Sequence, residues 1–224
     1  MLRKAVDSVF GDIVEQFVEL LRADRAAFEI ARRIGHHAES ARRFPGPGPV
    51  TERIPRQRTA VESFQIEITA EHAAEVEAKG NELKTRLLDV MDRDTDAFNV
   101  VSAAFGMPKD TDEQKAERSA AIQNGLKGCT KTPMEMMELI DETLTLAHSL
   151  LGRFNDTSAS DLGVAFLSLK AGIQGAWLNV LINVGSLKDQ EFAAEYRARG
   201  EKLLAHALPL ADECYAEIVK LIDG

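Results

Sequence analysis

The sequence predicts an all-α protein, a multi-helix bundle whose long helices run antiparallel where the connections between them are short. Three observations indicate this class. Aromatic residues make up only 6% of the 224 residues, and Leu, Ala, Val, Ile and Met supply most of the apolar side chains. Apolar residues recur at three- and four-residue steps along most of the chain, as they do on one face of a helix. Residues that favour helix starts and stops separate these periodic stretches.

The N-terminal part of the chain divides into a helical stretch and an atypical segment. An amphipathic helix is predicted over residues 6–34, where apolar side chains follow helical spacing. Gly35 and the run FPGPGPV then end the pattern, because each proline fixes its own φ and lacks an amide donor. Residues 35–68 are therefore interpreted as a loop-rich, basic segment, in which the alternating FQIEI could form a short strand.

Helical periodicity is strongest from Thr69 onwards, and Thr69 itself can cap the helix. The residues predicted to form one core-facing apolar stripe are Leu83, Leu87, Val90, Met91, Phe98, Val101 and Phe105. The helix that starts there is expected to end before Pro108, because the residue preceding a proline disfavours the helical conformation. A second helix is predicted to start at Thr111 or Asp112 and to run to about Leu126, and Pro133 is predicted to open a third.

The C-terminal half contains the most apolar stretch of the sequence. A helix predicted from about Ser160 to Val184 is apolar nearly all round, which predicts a buried position in the bundle. Two further helices are predicted over residues 187–199 and 201–222, with a candidate kink at Pro209.

Composition and charge narrow the range of functions. The length and the 45% hydrophobic fraction suit a single globular domain over residues 1–224. The formal net charge of −9 repels nucleic acid and anionic lipid, so neither is expected as a partner. The N-terminus lacks the apolar core of a signal peptide, and no apolar run approaches the length of a membrane span. A soluble cytoplasmic protein is expected.

Common motifs for metal, phosphate or nucleophile chemistry are missing from the sequence. The two cysteines and five histidines show no metal-ligand spacing, so no metal site is predicted. Glycine-rich phosphate-binding patterns and G-x-S-x-G are not found either. The remaining candidates are carboxylates and amides, which suit acid/base chemistry on a nitrogen-rich substrate.

Several polar residues interrupt apolar helix faces. Asp94 falls on the apolar stripe of its helix, where an ionised carboxylate is costly unless it is paired or faces a polar cavity. Asn179 and Asn183 lie one turn apart on the most apolar helix, and Asp161 lies in its first turn. Structural explanations also exist: a paired interior carboxylate for Asp94, and the helix dipole for Asp161. Asp161 and Asn179 share a face but lie roughly 27 Å apart in a straight helix. They could serve opposite ends of a long ligand, or two sites made between subunits.

Three stretches carry a resemblance to a known family. They are DRDTDAFNVVSAAFGMPKDTDEQKAERSAAIQ, NDTSASDLGVAFLSLKAGIQGAWLNVLIN and SLKDQEF. In order and spacing they resemble the formimidoyltetrahydrofolate cyclodeaminase and methenyltetrahydrofolate cyclohydrolase family. The resemblance covers about residues 72–195, and it includes the polar residues that the periodicity had marked.

The resemblance implies a helical, commonly dimeric enzyme of folate one-carbon metabolism that needs no cofactor. The expected reaction is hydrolysis of methenyltetrahydrofolate to formyltetrahydrofolate, with Asp94 and Asp161 as catalytic carboxylates. Four further residues are expected to bind the folate substrate: Lys109, Ser160, Asn179 and Asn183. The alternatives are a formiminotetrahydrofolate cyclodeaminase, and a non-catalytic folate-binding or structural homologue. The hydrolase is preferred because the chain shows no formiminotransferase domain.

The N-terminal region departs from the family pattern. Relatives follow their first helix with a P-G-G-G-S turn, an alanine- and glycine-rich helix and a lysine-rich segment. Residues 26–68 contain none of these, and the prolines of FPGPGPV cannot supply the amide donors of a glycine turn. This difference keeps the non-catalytic alternative open.

Overall fold

A computed structural model describes residues 70–154 and 158–224. These ranges contain four α-helices and no strand, which confirms the predicted all-α class. The helices are α1 (Ala70–Phe105), α2 (Asp112–His148), α3 (Ala159–Val184) and α4 (Gln190–Asp223). The helix predicted over residues 6–34, the cap at Thr69 and the segment 35–68 with its candidate strand lie outside the described residues.

The helix α2 is the centre of the described bundle, since it packs against α1, α3 and α4. Ion pairs give the helix directions. Arg93 and Arg86 of α1 bind Glu135 and Glu142 of α2, so these two helices are antiparallel. Lys127 and Glu138 of α2 bind Asp189 and Arg199, which lie at the start of α4 and further along it, so α2 and α4 run parallel. The antiparallel packing of consecutive helices agrees with the short connections.

Pro133 lies inside α2 and does not open a separate helix, so the predicted division of this region was wrong. A proline in a helix cannot donate to the carbonyl four residues earlier, which here belongs to Cys129. The side chain of Asn183 supplies a donor instead, with Nδ2 2.7 Å from that carbonyl oxygen. The start of α2 was predicted correctly, because Thr111 and Gln114 form a capping box there.

Gly200 likewise lies inside α4, and the two helices predicted on either side of it form one. A β-carbon on Gly200 would lie 2.1 Å from Cζ3 of Trp177 in α3. The glycine therefore makes room for the indole ring of the neighbouring helix and does not end its own. A local sequence pattern cannot reveal such a partner.

The apolar stripe of α1 is buried over only part of its predicted length. Leu83, Leu87 and Val90 are fully buried, whereas Phe98 and Phe105 are 51% and 55% exposed, contrary to the prediction. Because α2 covers α1 along a narrow seam, side chains on the other parts of the α1 surface are exposed. Val101 and Ala104 lie in the seam and are buried. The large apolar residues of α1 that are exposed are Leu88, Phe98, Val100 and Phe105.

The helix α3 is not buried on all sides, which also differs from the prediction. It packs against α2 and α4 but exposes an apolar stripe that we call the α3 stripe. The α3 stripe consists of Val164, Leu167, Leu178 and Ile182. By length and composition alone α3 could cross a membrane, since a window within it has a mean hydropathy of 1.3. A core helix has the same property, and ten residues of α3 are buried in the bundle.

Candidate active site

Asp94 meets a hydroxyl of the central helix. The carboxylate, half-buried in α1, accepts a hydrogen bond from Thr132 Oγ1 of α2 at 2.7 Å. Thr132 itself is only 8% exposed. The carboxylate is therefore oriented by a donor from another helix. Sequence reasoning marked Asp94 but missed Thr132, whose only signal was its place directly before Pro133.

Asn183 of α3 contacts α2 at Cys129, three residues before Thr132. Its Nδ2 donates to the carbonyls of Cys129 at 2.7 Å and of Asn179 at 2.8 Å. Both bonds use the amide nitrogen, and neither uses Oδ1. Asn179 lies one turn earlier in α3, is exposed, and donates to the carbonyl of Gly175 at 3.2 Å.

These contacts place two of the predicted site residues against neighbouring turns of α2. Cys129 and Thr132 are three positions apart in α2, so they lie on adjacent turns of one side of the helix. Thr132 binds the carboxylate of Asp94, and the carbonyl of Cys129 binds the amide of Asn183. Asn179 lies one turn before Asn183 in α3. A carboxylate can move a proton, and an amide oxygen can accept a hydrogen bond or orient water.

Asp161 and Ser160 are not part of this cluster within one chain. Both are exposed in the first turn of α3, next to Gly163, whose neighbour in α4 is Ile218. Asn183 lies in the last turn of α3, so roughly 30 Å of helix separates it from Asp161.

Lys109 is exposed in the connection between α1 and α2. Near it, Arg118 donates to the carbonyl of Phe105 at 3.2 Å and lies 5.9 Å from the centre of that ring. Gln123 accepts from the amide of Lys188 and donates to the carbonyl of Ser186, at 2.7 and 3.2 Å. Arg118 and Gln123, which end the first of the three stretches, thus fix helix ends, and Lys109 stays the substrate-binding candidate of this end of the bundle.

The SLKDQEF stretch also has a structural basis. Asp189 caps α4 by accepting from the amide of Phe192 at 3.0 Å, and it binds Lys127 of α2 at 2.6 Å. The Lys127 hydrogen bond, and then the backbone amide of Phe192, lower the pKa of Asp189. In the two described ranges no cluster of His, Cys, Asp and Glu side chains could hold a metal ion.

The fold and the cluster define a class of protein: an all-helical bundle whose central helix binds a carboxylate from one neighbouring helix and an amide from another. The model of the formiminotransferase-cyclodeaminase protein family matches residues 58–202 of this chain. A methenyltetrahydrofolate cyclohydrolase from Methylorubrum extorquens is 37% identical over 153 residues, which cover 68% of this chain and 73% of the relative. The chain belongs to the formiminotransferase-cyclodeaminase family.

Two other relatives support the same family. The formimidoyltransferase-cyclodeaminase of Sus scrofa is 36% identical over 54% of this chain, which spans only 23% of that longer protein. A crystal structure of formiminotetrahydrofolate cyclodeaminase from Thermotoga maritima matches with a TM-score of 0.64 and 18% identity, over 99% of this chain and 87% of that one. The structural match bears on the fold.

Proposed function

We propose that this protein hydrolyses methenyltetrahydrofolate to formyltetrahydrofolate, with Asp94 as the acid/base. The observation that carries the proposal is the Asp94 carboxylate, half-buried in α1 and oriented by Thr132 of the central helix, which Asn183 contacts at Cys129, one turn earlier. The cyclohydrolase relative supports this substrate, because it shares 37% of its residues over most of its length. Water and the folate suffice for the reaction, so no cofactor is required.

In this reaction water adds to the methenyl carbon that bridges two folate nitrogens. Asp94 takes a proton from the water as its oxygen bonds to that carbon. One carbon–nitrogen bond of the adduct then breaks: the leaving nitrogen gains a proton, and the hydroxyl group of the adduct loses one and becomes the formyl carbonyl. The carbon remains on the other nitrogen as a formyl group, and the positive charge of the substrate leaves as a proton. Oδ1 of Asn183 and the amide of Asn179 bind the pterin or orient the water. Lys109 holds the anionic glutamate tail.

The test is the loss of methenyltetrahydrofolate absorbance above the spontaneous rate. The wild type should accelerate it, and Asp94→Asn should lower kcat by about 100-fold or more, as expected for loss of an acid/base group. Asp96→Asn is the matched control, since Asp96 is exposed on the same helix two residues away. A wild type that only matches the buffer rate would refute the hydrolase.

The second candidate is the cyclodeaminase reaction, in which a folate nitrogen attacks the formimino carbon and ammonia leaves. The formimidoyltransferase-cyclodeaminase relatives favour it, although this chain spans about a quarter of their length. Ammonia release from formiminotetrahydrofolate distinguishes it from hydrolysis. Folate binding without either activity would indicate a non-catalytic homologue.

We also propose that the protein is a homodimer formed through the α3 stripe. Val164, Leu167, Leu178 and Ile182 are exposed, with Leu178 at 67% and Ile182 at 72%. An exposed apolar stripe of this length marks an interaction surface. Two copies related by a two-fold axis present the same stripe to each other.

Such a dimer gives Asp161 and Ser160 a role in the site. Asp161 lies three residues before Val164 and therefore shares the side of α3 that carries the stripe. If two α3 helices pair antiparallel about residue 172, Asp161 of the partner subunit reaches the level of Asn183. The site would then combine Asp94 of one subunit with Asp161 of the other.

The dimer and its shared site can be tested separately. Leu178→Asp with Ile182→Asp should convert a dimer to a monomer in analytical ultracentrifugation. Mixing inactive Asp94→Asn and Asp161→Asn subunits should restore about a quarter of the wild-type activity, because half of the randomly formed dimers contain one intact site. A monomeric wild type would exclude the dimer and leave the stripe to another occupant, such as the N-terminal part of the chain. A dimer whose mixture stays inactive would exclude only the shared site.

A further inference from the structure

Thr132 behaves differently from the other threonines of α2. Thr130, Thr143 and Thr145 donate to the carbonyl four residues earlier in their own helix, at 2.8, 2.7 and 3.0 Å. This is the usual bond of a threonine inside a helix. Thr132 instead donates across the helix interface to Oδ1 of Asp94, at 2.7 Å. Its hydroxyl therefore serves the carboxylate of α1 and not its own helix.

Pro133, the next residue, leaves a backbone carbonyl of α2 available to a side chain of α3. It has no amide hydrogen for the carbonyl of Cys129. Nδ2 of Asn183 donates to that carbonyl at 2.7 Å. An amide hydrogen at position 133 would compete for the same oxygen. The missing donor thus fixes the place of an asparagine on another helix.

We propose that Thr132 and Pro133 are positioning residues that together set where the Asp94 carboxylate and the Asn183 amide stand. The proposal rests on the function proposed above and assigns a role to two residues outside the predicted site. Thr132 provides a hydrogen bond to α1, and Pro133 permits one from α3. Two consecutive residues of α2 therefore set the register of both neighbouring helices.

The positions matter because the reaction needs a carboxylate aimed at a water beside the methenyl carbon. The hydroxyl of Thr132 holds one carboxylate oxygen and so restricts rotation of the group. Misplacement of a reacting group by about 1 Å can cost on the order of 100-fold in rate. A half-buried carboxylate on a long helix needs such a constraint to stay in one orientation.

The first experiment compares Thr132→Val, Thr132→Ser and Thr143→Val in the methenyltetrahydrofolate assay. Thr132→Val should lower kcat by about tenfold or more while KM changes by less than about threefold, since the aim of the carboxylate is lost rather than the binding of substrate. Thr132→Ser keeps the hydroxyl and should restore most of kcat. Thr143→Val is the matched control, because Thr143 is equally buried but bonds its own helix.

The second experiment replaces Pro133 by Ala, which supplies an amide hydrogen to the Cys129 carbonyl and releases Asn183. Pro133→Ala should lower kcat/KM by about fivefold or more without lowering the melting temperature. Pro209→Ala in α4 is the control, because Pro209 is exposed and far along another helix.

The outcomes separate this inference from the proposed function. An active wild type whose Thr132→Val variant keeps full kcat, or whose Thr132→Ser variant is as slow as Thr132→Val, would overturn the role of Thr132 and leave the function standing. Unchanged kcat/KM in Pro133→Ala would do the same for Pro133. A wild type inactive on both folate substrates would overturn the function and this inference with it.

Discussion

The two outer helices of the described bundle are attached in different ways. The α1–α2 interface is rich in charge: Arg93 binds Glu135 at 2.6 Å, Arg86 binds Glu142, and Asp94 binds Thr132. The α3–α4 interface has an ion pair between Lys170 and Asp212 but depends more on close apolar packing. Trp177 lies against Gly200, and Ile218 lies against Gly163 so closely that a β-carbon there would be 3.0 Å from its Cγ2.

This difference separates stability from chemistry. Close packing leaves no room for change, so the α3–α4 interface should carry much of the free energy of unfolding. Each exposed ion pair contributes little to the free energy of unfolding. Together the pairs keep α1, and with it the Asp94 carboxylate, in register with α2. The polar interface can therefore tolerate a half-buried Asp94, which an apolar one could not.

The largest effect should follow a change in the α3–α4 interface. In Gly200→Ala the new methyl group overlaps Trp177, and we expect a loss of about 2–3 kcal/mol in the free energy of unfolding. Urea unfolding monitored by circular dichroism measures it, because this signal also remains in a variant without Trp177, the single tryptophan of the chain. The double variant with Trp177→Ala should lose less than the sum of the single changes, because the overlap is gone. Additive losses would show that the ring and the glycine do not interact.

The α1–α2 interface contains a matched pair of glycines one turn apart in α2. A β-carbon on Gly125 would lie 2.9 Å from Cβ of Val101, whereas one on Gly128 would lie 3.9 Å from Cβ of Ala97. Gly125→Ala should cost about 1–2 kcal/mol because α1 must move. Gly128→Ala should gain about 0.5–1 kcal/mol, since alanine favours a helix. Melting temperatures that change in the same direction for both variants would contradict the described packing.

A smaller effect is expected for the ion pair across that interface. Hydrogen bonds that Arg93 donates to Glu135, and then to Asp89, raise the pKa of Arg93. The side chains are about two-fifths exposed, so a double-mutant cycle with Arg93→Met and Glu135→Gln should give about 0.5–1 kcal/mol. The coupling should fall towards zero in 1 M salt, with a screening length of about 3 Å. A coupling that salt does not change would show that the pair is more buried than described.

The smallest effect concerns the thiol of Cys214 in α4. Burial raises its pKa to about 11, and nearby Glu217 and Glu213 add to the shift. The neutral thiol is favoured in the folded protein, so its contribution to stability is complete below the unfolded pKa, near 9, and is lost as the pH rises towards 11. Cys214→Ser should flatten the loss of stability between these values. Rapid labelling of the native protein by a thiol reagent at pH 7 would contradict the burial.

The sequence predicted the parts of the fold that depend on local chemistry. Pro108 ends α1, and the capping box of Thr111 starts α2, because both act within a few residues. Pro133 and Gly200 were misread as boundaries because their partners, Asn183 and Trp177, come from another helix. A window along the chain contains no information about that contact.

The candidate site divides in the same way. Asp94 and Asn183 were found because a polar residue on an apolar helix is costly and needs a partner. Thr132 was missed because a threonine inside a helix normally bonds its own backbone, so its sequence position predicts nothing unusual. Asp161 was found on the same reasoning, but one chain does not bring it to Asp94.

Among the described helices, α1 packs chiefly against α2, while α3 and α4 pack against α2 and each other. It can therefore detach without opening the rest of the described bundle, and its backbone amides should exchange with deuterium sooner than those of α2. Each such opening removes Asp94 from Thr132. The fraction of molecules competent for chemistry at any instant is then set by the docking equilibrium of one helix, and a folate that contacts both helices would shift it towards the closed form.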